Sequence, residues 1–384
     1  MIVGLIASLS VAAWAYLALT RGAFWRTRER DVKTPAPATW PPVTAIVPAR
    51  DEAETIARSI GSLIDQDYPG EFAVILVDDE SRDGTSSLAR AAATARGKAE
   101  RLTILAGKPL PSGWTGKLWA QNQGVTQAGQ GNPAPRYLLL TDADIVHAPD
   151  SLRTLVSEAE AGSLALTSRM AMLRCESLAE RLLVPAFIFF FQMLYPFAWA
   201  NDRGRTTAAA AGGCMLVRRD ALEQAGGVSA IRDALIDDCA LARLIKRIGP
   251  IRIALTQRVT SIRPYPAIAD VGRMISRSAY AQLNYSAALL AGTIAGLTLI
   301  YLAPVLLALF SDGLTRIAGI ACWIAMAFLF QPTLRFYQVS PVYGLLLPLI
   351  AAIYMWFTCA SAVAHARGRG GMWKGRAQAP AVRS

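Results

Sequence analysis

Apolar positions fall along the chain in three ways, and each predicts a different element. At the two ends they form long runs without charge: residues 1–20, then 287–310, 317–334 and 342–364. About twenty such residues, at about 1.5 Å rise each, cross a hydrocarbon core of about 30 Å. In the middle they form short unbroken runs, VTAIVPA (43–49), FAVILVDD (72–79), RLTILA (101–106) and RYLLLT (136–141), which predict strands buried on both faces. Between the first two, Ala53, Ile56, Ala57, Ile60, Leu63 and Ile64 recur at helical spacing, and TSSLARAAATAR (85–96) predicts a second helix. Strand, helix and strand in alternation predict an α/β domain with a mostly parallel, Rossmann-like sheet over 43–285.

Composition agrees with the end segments. Of 384 residues 53% are apolar and 17% charged, with a mean hydropathy of +0.32, too apolar for an ordinary soluble enzyme. Residues 1–20 read as a transmembrane anchor and not a cleaved signal, because the cations follow the apolar run instead of preceding it. The Pro-rich linker 21–42 carries Arg21, Arg26, Arg28, Arg30 and Lys33 against Glu29 and Asp31, which places the next domain in the cytosol. Its second half, KTPAPATWPP (33–42), reads as a stiff, extended spacer.

The last segment, 365–384, is basic and free of acids. These two flanks hold most of the formal net charge of +11, so the basic balance points to membrane surfaces and to no nucleic-acid partner. Three full spans across 286–364 would put that tail on the far side, against the charge rule, so one stretch is expected to be re-entrant or interfacial.

Candidate chemistry sits where the short runs stop. Asp51, Asp79, Asp142 and Asp144 all follow strand ends, and in an open parallel sheet the ligand lies beyond the carboxyl ends of the strands. Neither a Gly-x-Gly-x-x-Gly string nor a phosphate loop occurs. An acid-lined crevice instead suits a nucleotide whose phosphates carry a divalent ion. The cysteines Cys175, Cys214, Cys239, Cys322 and Cys359 lack metal-site spacing. His147 is expected to cap the loop after the acids, with a ligand role as the alternative.

One apolar segment must not cross. The uncharged run LLVPAFIFFFQMLYPFAWA (182–200) lies between Asp142 and Asp238, and a single crossing would part them. The segment 178–200 is therefore expected in the membrane interface, broken at Pro185 and Pro196, with a buried core helix as the alternative.

IVPARDEAETI, LVDDESRDGT, TDADI, GGCMLVRRDAL and IDDCALARLI, in that order over about residues 43–250, resemble the motifs of the family 2 inverting glycosyltransferases of the GT-A fold. The anchor, PLPSGWTGKLWAQNQG and the terminal WKGR look more narrowly like the bacterial hopanoid-biosynthesis-associated membrane members of that family. The resemblance implies that Asp51, Glu52 and Asp79 meet the nucleoside of a UDP-sugar. It implies that Asp144, helped by Asp142, holds Mg²⁺ or Mn²⁺ on the diphosphate. Asp238 would be the base that deprotonates an acceptor hydroxyl, with Asp237 supporting it, although acids in a first helical turn also serve the helix dipole. Lys117 either adds a cation near the donor or lies on the surface.

Gly212, Gly213 and Cys214 are placed at the acceptor, a membrane lipid, and the protein in the inner membrane of a bacterium. One motif departs: where polymer synthases carry Gln-x-x-Arg-Trp, this chain has Met274, Arg277 and Ser278, which weakens a processive polysaccharide synthase. A non-catalytic membrane or transport protein leaves the ordered acids without a reason. Arg273 and Arg277 would face headgroups or the diphosphate.

Overall fold

A computed structural model describes residues 1–373 and 376–377. After the first helix, α1 (Ile2–Leu19), the α/β domain runs β1 (Val43–Ala49), α2 (Ile56–Ile64), β2 (Phe72–Asp78), α3 (Thr85–Thr94), β3 (Leu102–Ala106), α4 (Gly116–Ala128) and β4 (Tyr137–Leu140). It continues through β5 (Ile145–His147), α5 (Ser151–Gly162), β6 (Leu166–Met172), α6 (Leu178–Leu194), α7 (Phe197–Asn201) and β7 (Met215–Arg218). Helix α8 (Arg219–Gln224), α9 (Asp237–Ile248), β8 (Ile251–Ser261) and α10 (Ile268–Ser276) complete it.

The eight strands form one sheet in the order β3-β2-β1-β4-β7-β6-β8-β5. The β3-β2-β1-β4 half is parallel and β6 runs parallel to β8, while β7 is antiparallel to both its neighbours and β5 to β8. Strand β1 explains why its run is continuous. Val43, Ala45, Val47 and Ala49 pack under α2 and α5, whereas Ile46 packs under α4, so neither face meets water.

The basic first half of the linker joins the sheet. Leu255 N–H donates to the Glu29 carbonyl at 2.9 Å, and Arg30 bridges Leu255, so residues 29–30 add to the sheet alongside β8. Asp31 pairs with Arg169 Nε at 2.6 Å and with Arg258 at 3.1 Å, and Arg169, almost wholly buried, also pairs with Glu158. These contacts lie before the Pro-rich stretch 33–42, and the acids Glu29 and Asp31 answer arginines more than 130 residues away.

Among the described residues four helices are long and apolar enough to cross a membrane: α1, Ala287–Phe310, Gly313–Phe336 and Pro341–Ala366. The second consists of α11 (Ala287–Leu297), a π turn (Thr298–Leu302) and α12 (Ala303–Phe310). A π turn shifts the backbone pairing, and here α1 supplies partners: Ser10 Oγ donates to the Leu299 carbonyl at 2.9 Å and Trp14 Nε1 to that of Ile300 at 2.8 Å. Outward-facing Leu314 and Ile324 on α13 (Gly313–Phe336) are 85% and 62% exposed, as a lipid-facing surface requires.

The last helical pair leaves the domain and comes back to it. At the end of α13 the Phe336 carbonyl accepts from Gln257, and Tyr337 Oη accepts from Leu173 N–H. The 3₁₀ segment Pro341–Leu346 then runs back along α13 until Trp323 Nε1 donates to the Leu345 carbonyl at 3.0 Å. Finally α14 (Leu347–Ala366) brings Ser361 to Ser276 and stacks His365 on Tyr285, ring centres 4.3 Å apart. Both ends of the pair therefore lie against the α/β domain.

Helix α6 differs from the expected broken segment. It runs unbroken through Pro185, begins in a capping box of Ser177 and Glu180, and ends before Pro196, where Arg21 donates to the carbonyls of Met193 and Leu194. Leu183, Val184, Ile188 and Phe189 are buried against Phe24, α13 and α14. The helix is the floor on which the α/β domain meets the membrane helices, closer to the core-helix alternative.

Candidate active site

Asp142 and Asp144 sit where β4 ends and β5 begins. Thr141 fixes that turn, its hydroxyl donating to the Gly213 carbonyl at 2.7 Å and lying 3.0 Å from His147 Nε2. Burial pushes the His147 pKa down to about 4, so the imidazole is neutral and holds the turn from within β5. The antiparallel pairing of β5 with β8 then sets Ser261 and Arg263 beside Asp144. Ser261 Oγ donates to Asp144 Oδ2 at 2.9 Å and Arg263 Nε to the same oxygen at 3.1 Å, while Arg263 Nη2 holds both Glu52 oxygens at 2.7 Å.

A second cation joins the other half. Lys117, in the first turn of α4 behind the N-cap Thr115, lies 2.9 Å from Asp142 Oδ1 and 3.0 Å from Asp237 Oδ2. Desolvation pulls its pKa down, but the two carboxylates outweigh that and hold it above the usual lysine range. Only 16% of the side chain is exposed, so the surface alternative does not describe it.

Asp237 and Asp238 open α9, the helix whose stripe packs Leu241, Ala242 and Ile245 into the core. Asp238 accepts from Gly212 N–H at 3.0 Å and from Cys239 N–H at 2.7 Å. Its pKa is pushed up to about 6, chiefly by desolvation and then by the charge of Asp237, with Lys117 and the two N–H groups opposing. A Cβ at Gly212 would stand 3.2 Å from Lys117 Nζ and 3.6 Å from Asp238 Oδ2, so glycine leaves room for both.

One cavity of about 520 Å³ takes in Asp142, Asp144, Asp237, Asp238, Gly212 and Gly213. From these carboxylates it continues past Phe190 and Phe191 of α6 and Tyr195 just after it to Thr293 and Leu297 of α11 and Ala351, Tyr354 and Thr358 of α14. Its inner end is acidic and its outer end is built by membrane-type helices.

Not every expected residue lines it. Cys214 is buried in the core cluster that also holds Ile145 and Leu216, its thiol pushed up to about 12 by burial, and it takes no part in the lining. Asp51, Glu52 and Asp79 lie just outside the cavity at the ends of β1 and β2. Asp51 Oδ1 accepts from Arg82 N–H at 2.8 Å, Asp79 is held by Arg50, and Glu52 reaches the cavity through Arg263. Arg277 stands exposed at the lining, whereas Arg273 turns to Asp270. Arg263 escaped the sequence reading; its signal was the RPY that directly follows the last strand, opposite TDADI.

Residues 44–226 match Glycosyl transferase family 2. Over 92 residues the chain is 34% identical to glycosyltransferase AglE of Haloferax volcanii, 24% of this chain and 28% of that protein. The match thus spans little more than a quarter of that relative. The mannosyltransferase PcManGT from Pyrobaculum calidifontis, solved with GDP-Man and Mn²⁺, superposes with a TM-score of 0.56 at 20% identity, over 94% of this chain and 99% of that one. The fold is GT-A-like, a mixed, mostly parallel sheet flanked by long apolar helices. Glucosyl-3-phosphoglycerate synthase from Mycobacterium tuberculosis, solved with Mg²⁺ and UDP, gives a TM-score of 0.41 at 16% identity, over 64% of this chain and 79% of that one.

The family 2 segment and α9 bring four acids to one cavity, and two of them suit a divalent ion. Among the described residues no group of three or more His, Cys, Asp and Glu is arranged as a cage. Mg²⁺-type ions are commonly held by one or two carboxylates plus substrate phosphates, so Asp142 and Asp144 fit an ion that arrives with a diphosphate.

Proposed function

We propose that this protein is a membrane-bound inverting glycosyltransferase that moves a sugar from a nucleoside-diphosphate donor to the hydroxyl of a membrane lipid. The observation that carries the reading is the single cavity joining Asp142, Asp144 and Asp238 to the apolar helices α6, α11 and α14. A soluble acceptor needs no such exit. A lipid acceptor does, because its tail stays among apolar side chains while its head reaches the acids.

In this reading Asp144, with Asp142, would hold Mg²⁺ or Mn²⁺, which supplies Lewis-acid stabilisation of the leaving diphosphate. Asp51, Glu52 and Asp79 form the nucleoside end, with UDP as the donor nucleotide the motifs favour. Asp238 takes the acceptor proton, and its raised pKa suits a base working near neutral pH. Gly212 N–H and Cys239 N–H keep it in place, while its neighbour Asp237 is paired with Lys117. Attack from the face opposite the diphosphate inverts the sugar carbon.

The catalytic domain is assigned to the cytosolic side of a bacterial inner membrane, from the cations of the linker. Hopanoid lipid metabolism is the narrowest part of the proposal and rests on the anchor, PLPSGWTGKLWAQNQG and WKGR alone; residues 374–375 and 378–384 lie outside the described part. The test is incubation of the purified protein in lipid with radiolabelled UDP- and GDP-sugars, with and without Mn²⁺. Metal-dependent label in the organic phase is expected from one donor; label confined to water-soluble products, or to long polymer, would overturn the lipid assignment.

A further inference from the structure

We infer that Arg263 is a guanidinium plug on the metal site: it occupies Asp144 in the ligand-free protein and moves to the donor diphosphate when ion and nucleotide enter. The inference rests on the nucleotide-sugar reading above and concerns a residue which that reading leaves without a role.

Asp144 Oδ2 already accepts two hydrogen bonds, from Ser261 Oγ and from Arg263 Nε. A divalent ion on that carboxylate would meet the guanidinium charge at contact distance, so ion and guanidinium exclude each other there. Arg263 cannot leave the neighbourhood. Its backbone is fixed by the pairing of Ile145 with Ser261 and by Ile262 N–H donating to the Asp144 carbonyl at 2.9 Å.

What it can do is turn about its side-chain bonds. Glu52 holds the far end at 2.7 Å, and about a third of the side chain is exposed, so the guanidinium has both an anchor and room to swing. Once Asp144 is taken by the ion, the strongest nearby partner for a planar five-donor cation is the diphosphate, which a guanidinium grips with two parallel bonds. Arg263 is thus a positioning residue for the donor and a barrier to the ion on its own.

This arrangement makes the order of binding a property of charge. Two cations, Lys117 and Arg263, are each shared between two carboxylates, the first by Asp142 and Asp237 and the second by Asp144 and Glu52. An ion without nucleotide must displace Arg263 from Asp144 and leaves it on Glu52 with no second anion supplied in exchange. Ion and diphosphate together give the displaced guanidinium a new anion.

The experiment measures Mn²⁺ binding by the free-ion electron paramagnetic resonance signal, for the full-length protein in detergent, alone and with UDP or GDP. Arg263→Gln is expected to bind Mn²⁺ alone about five- to tenfold more tightly and the nucleotide with Mn²⁺ about tenfold more weakly. Arg263→Lys, which keeps a charge and a bond to Glu52 but loses the fork, is expected between the two and serves where the glutamine variant does not fold.

Mn²⁺ affinity that is unchanged or weaker in both variants overturns the plug. Nucleotide affinity equal to that of the unmodified protein overturns the move to the diphosphate. An unmodified protein that binds neither nucleotide with Mn²⁺ overturns the nucleotide-sugar reading itself, a result distinct from either.

Discussion

The backbone N–H of Gly212 donates to Oδ2 of Asp238 at 3.0 Å, tying the turn before β7 to the first turn of α9 across 26 residues of chain. Asp238 Oδ1 is held by Cys239 N–H, so the carboxylate has a fixed orientation in the cavity wall. A base held in this way acts by position as well as by charge. Asp238→Asn keeps the shape and one of the two accepted hydrogen bonds, since its amide nitrogen cannot accept, and removes the proton acceptor. Transfer is expected to fall by about 10²- to 10⁴-fold with donor affinity intact, measured by label transfer and by nucleotide titration.

The pH profile follows from the same residue. Desolvation and the neighbouring Asp237 raise Asp238 from the usual 3.8 to about 6. The working form is ionised, so kcat/KM is expected to be level above pH 6 and to drop about tenfold per unit below it. For folding the sign is reversed. A carboxyl whose pKa is raised in the folded state binds its proton more tightly there than in the unfolded chain, so its contribution is fully present below the unfolded value of 3.8 and lost as the pH rises through about 6.

Asp31 tests whether the linker belongs to the fold. Arg169 is almost fully buried and depends on Asp31 and Glu158 for its charge partners. Asp31→Ala leaves one partner, and the stability loss is expected to be about 2 kcal/mol, with faster proteolysis within residues 27–33. A melting temperature equal to that of the unmodified protein would make the segment a spacer.

The return of α14 to the α/β domain predicts where the tail lies. With Tyr337 against Leu173 at one end and His365 against Tyr285 at the other, the pair enters and leaves on one side. In a cysteine-free background, Arg369→Cys and Ser112→Cys should react with an impermeant maleimide from the same face of oriented vesicles. Labelling from opposite faces would make the last helix a full crossing.

The sequence carried the parallel half of the sheet well, because β1 to β4 are local runs whose apolar continuity is itself the signal. Strand β1 was predicted over 43–49 and forms over those residues. The acids after β4 and at the start of α9 were equally visible, since charged pairs at element ends stand out against apolar flanks. What escaped depends on chain separation. Arg263 meets Asp144 across 119 positions, and Asp31 meets Arg169 across 138, and no local pattern encodes such pairings.

The course of α6 through Pro185 was hidden for another reason. A proline breaks a helix by its local cost, but here packing on α13 and α14 outweighs it. Cys214 shows the opposite error: adjacent to two cavity glycines in sequence, it points into the sheet because successive residues entering a strand face opposite ways.

The central claim is that a lipid-borne hydroxyl reaches Asp238 through the channel between α6, α11 and α14. Thr293 lines that channel from α11, an element that carries none of the acids, so Thr293→Trp is expected to narrow the path and leave the donor site untouched. Label entering the organic phase is expected to fall by about tenfold or more while nucleotide affinity stays at its original value. Undiminished lipid labelling with the channel filled would contradict the account.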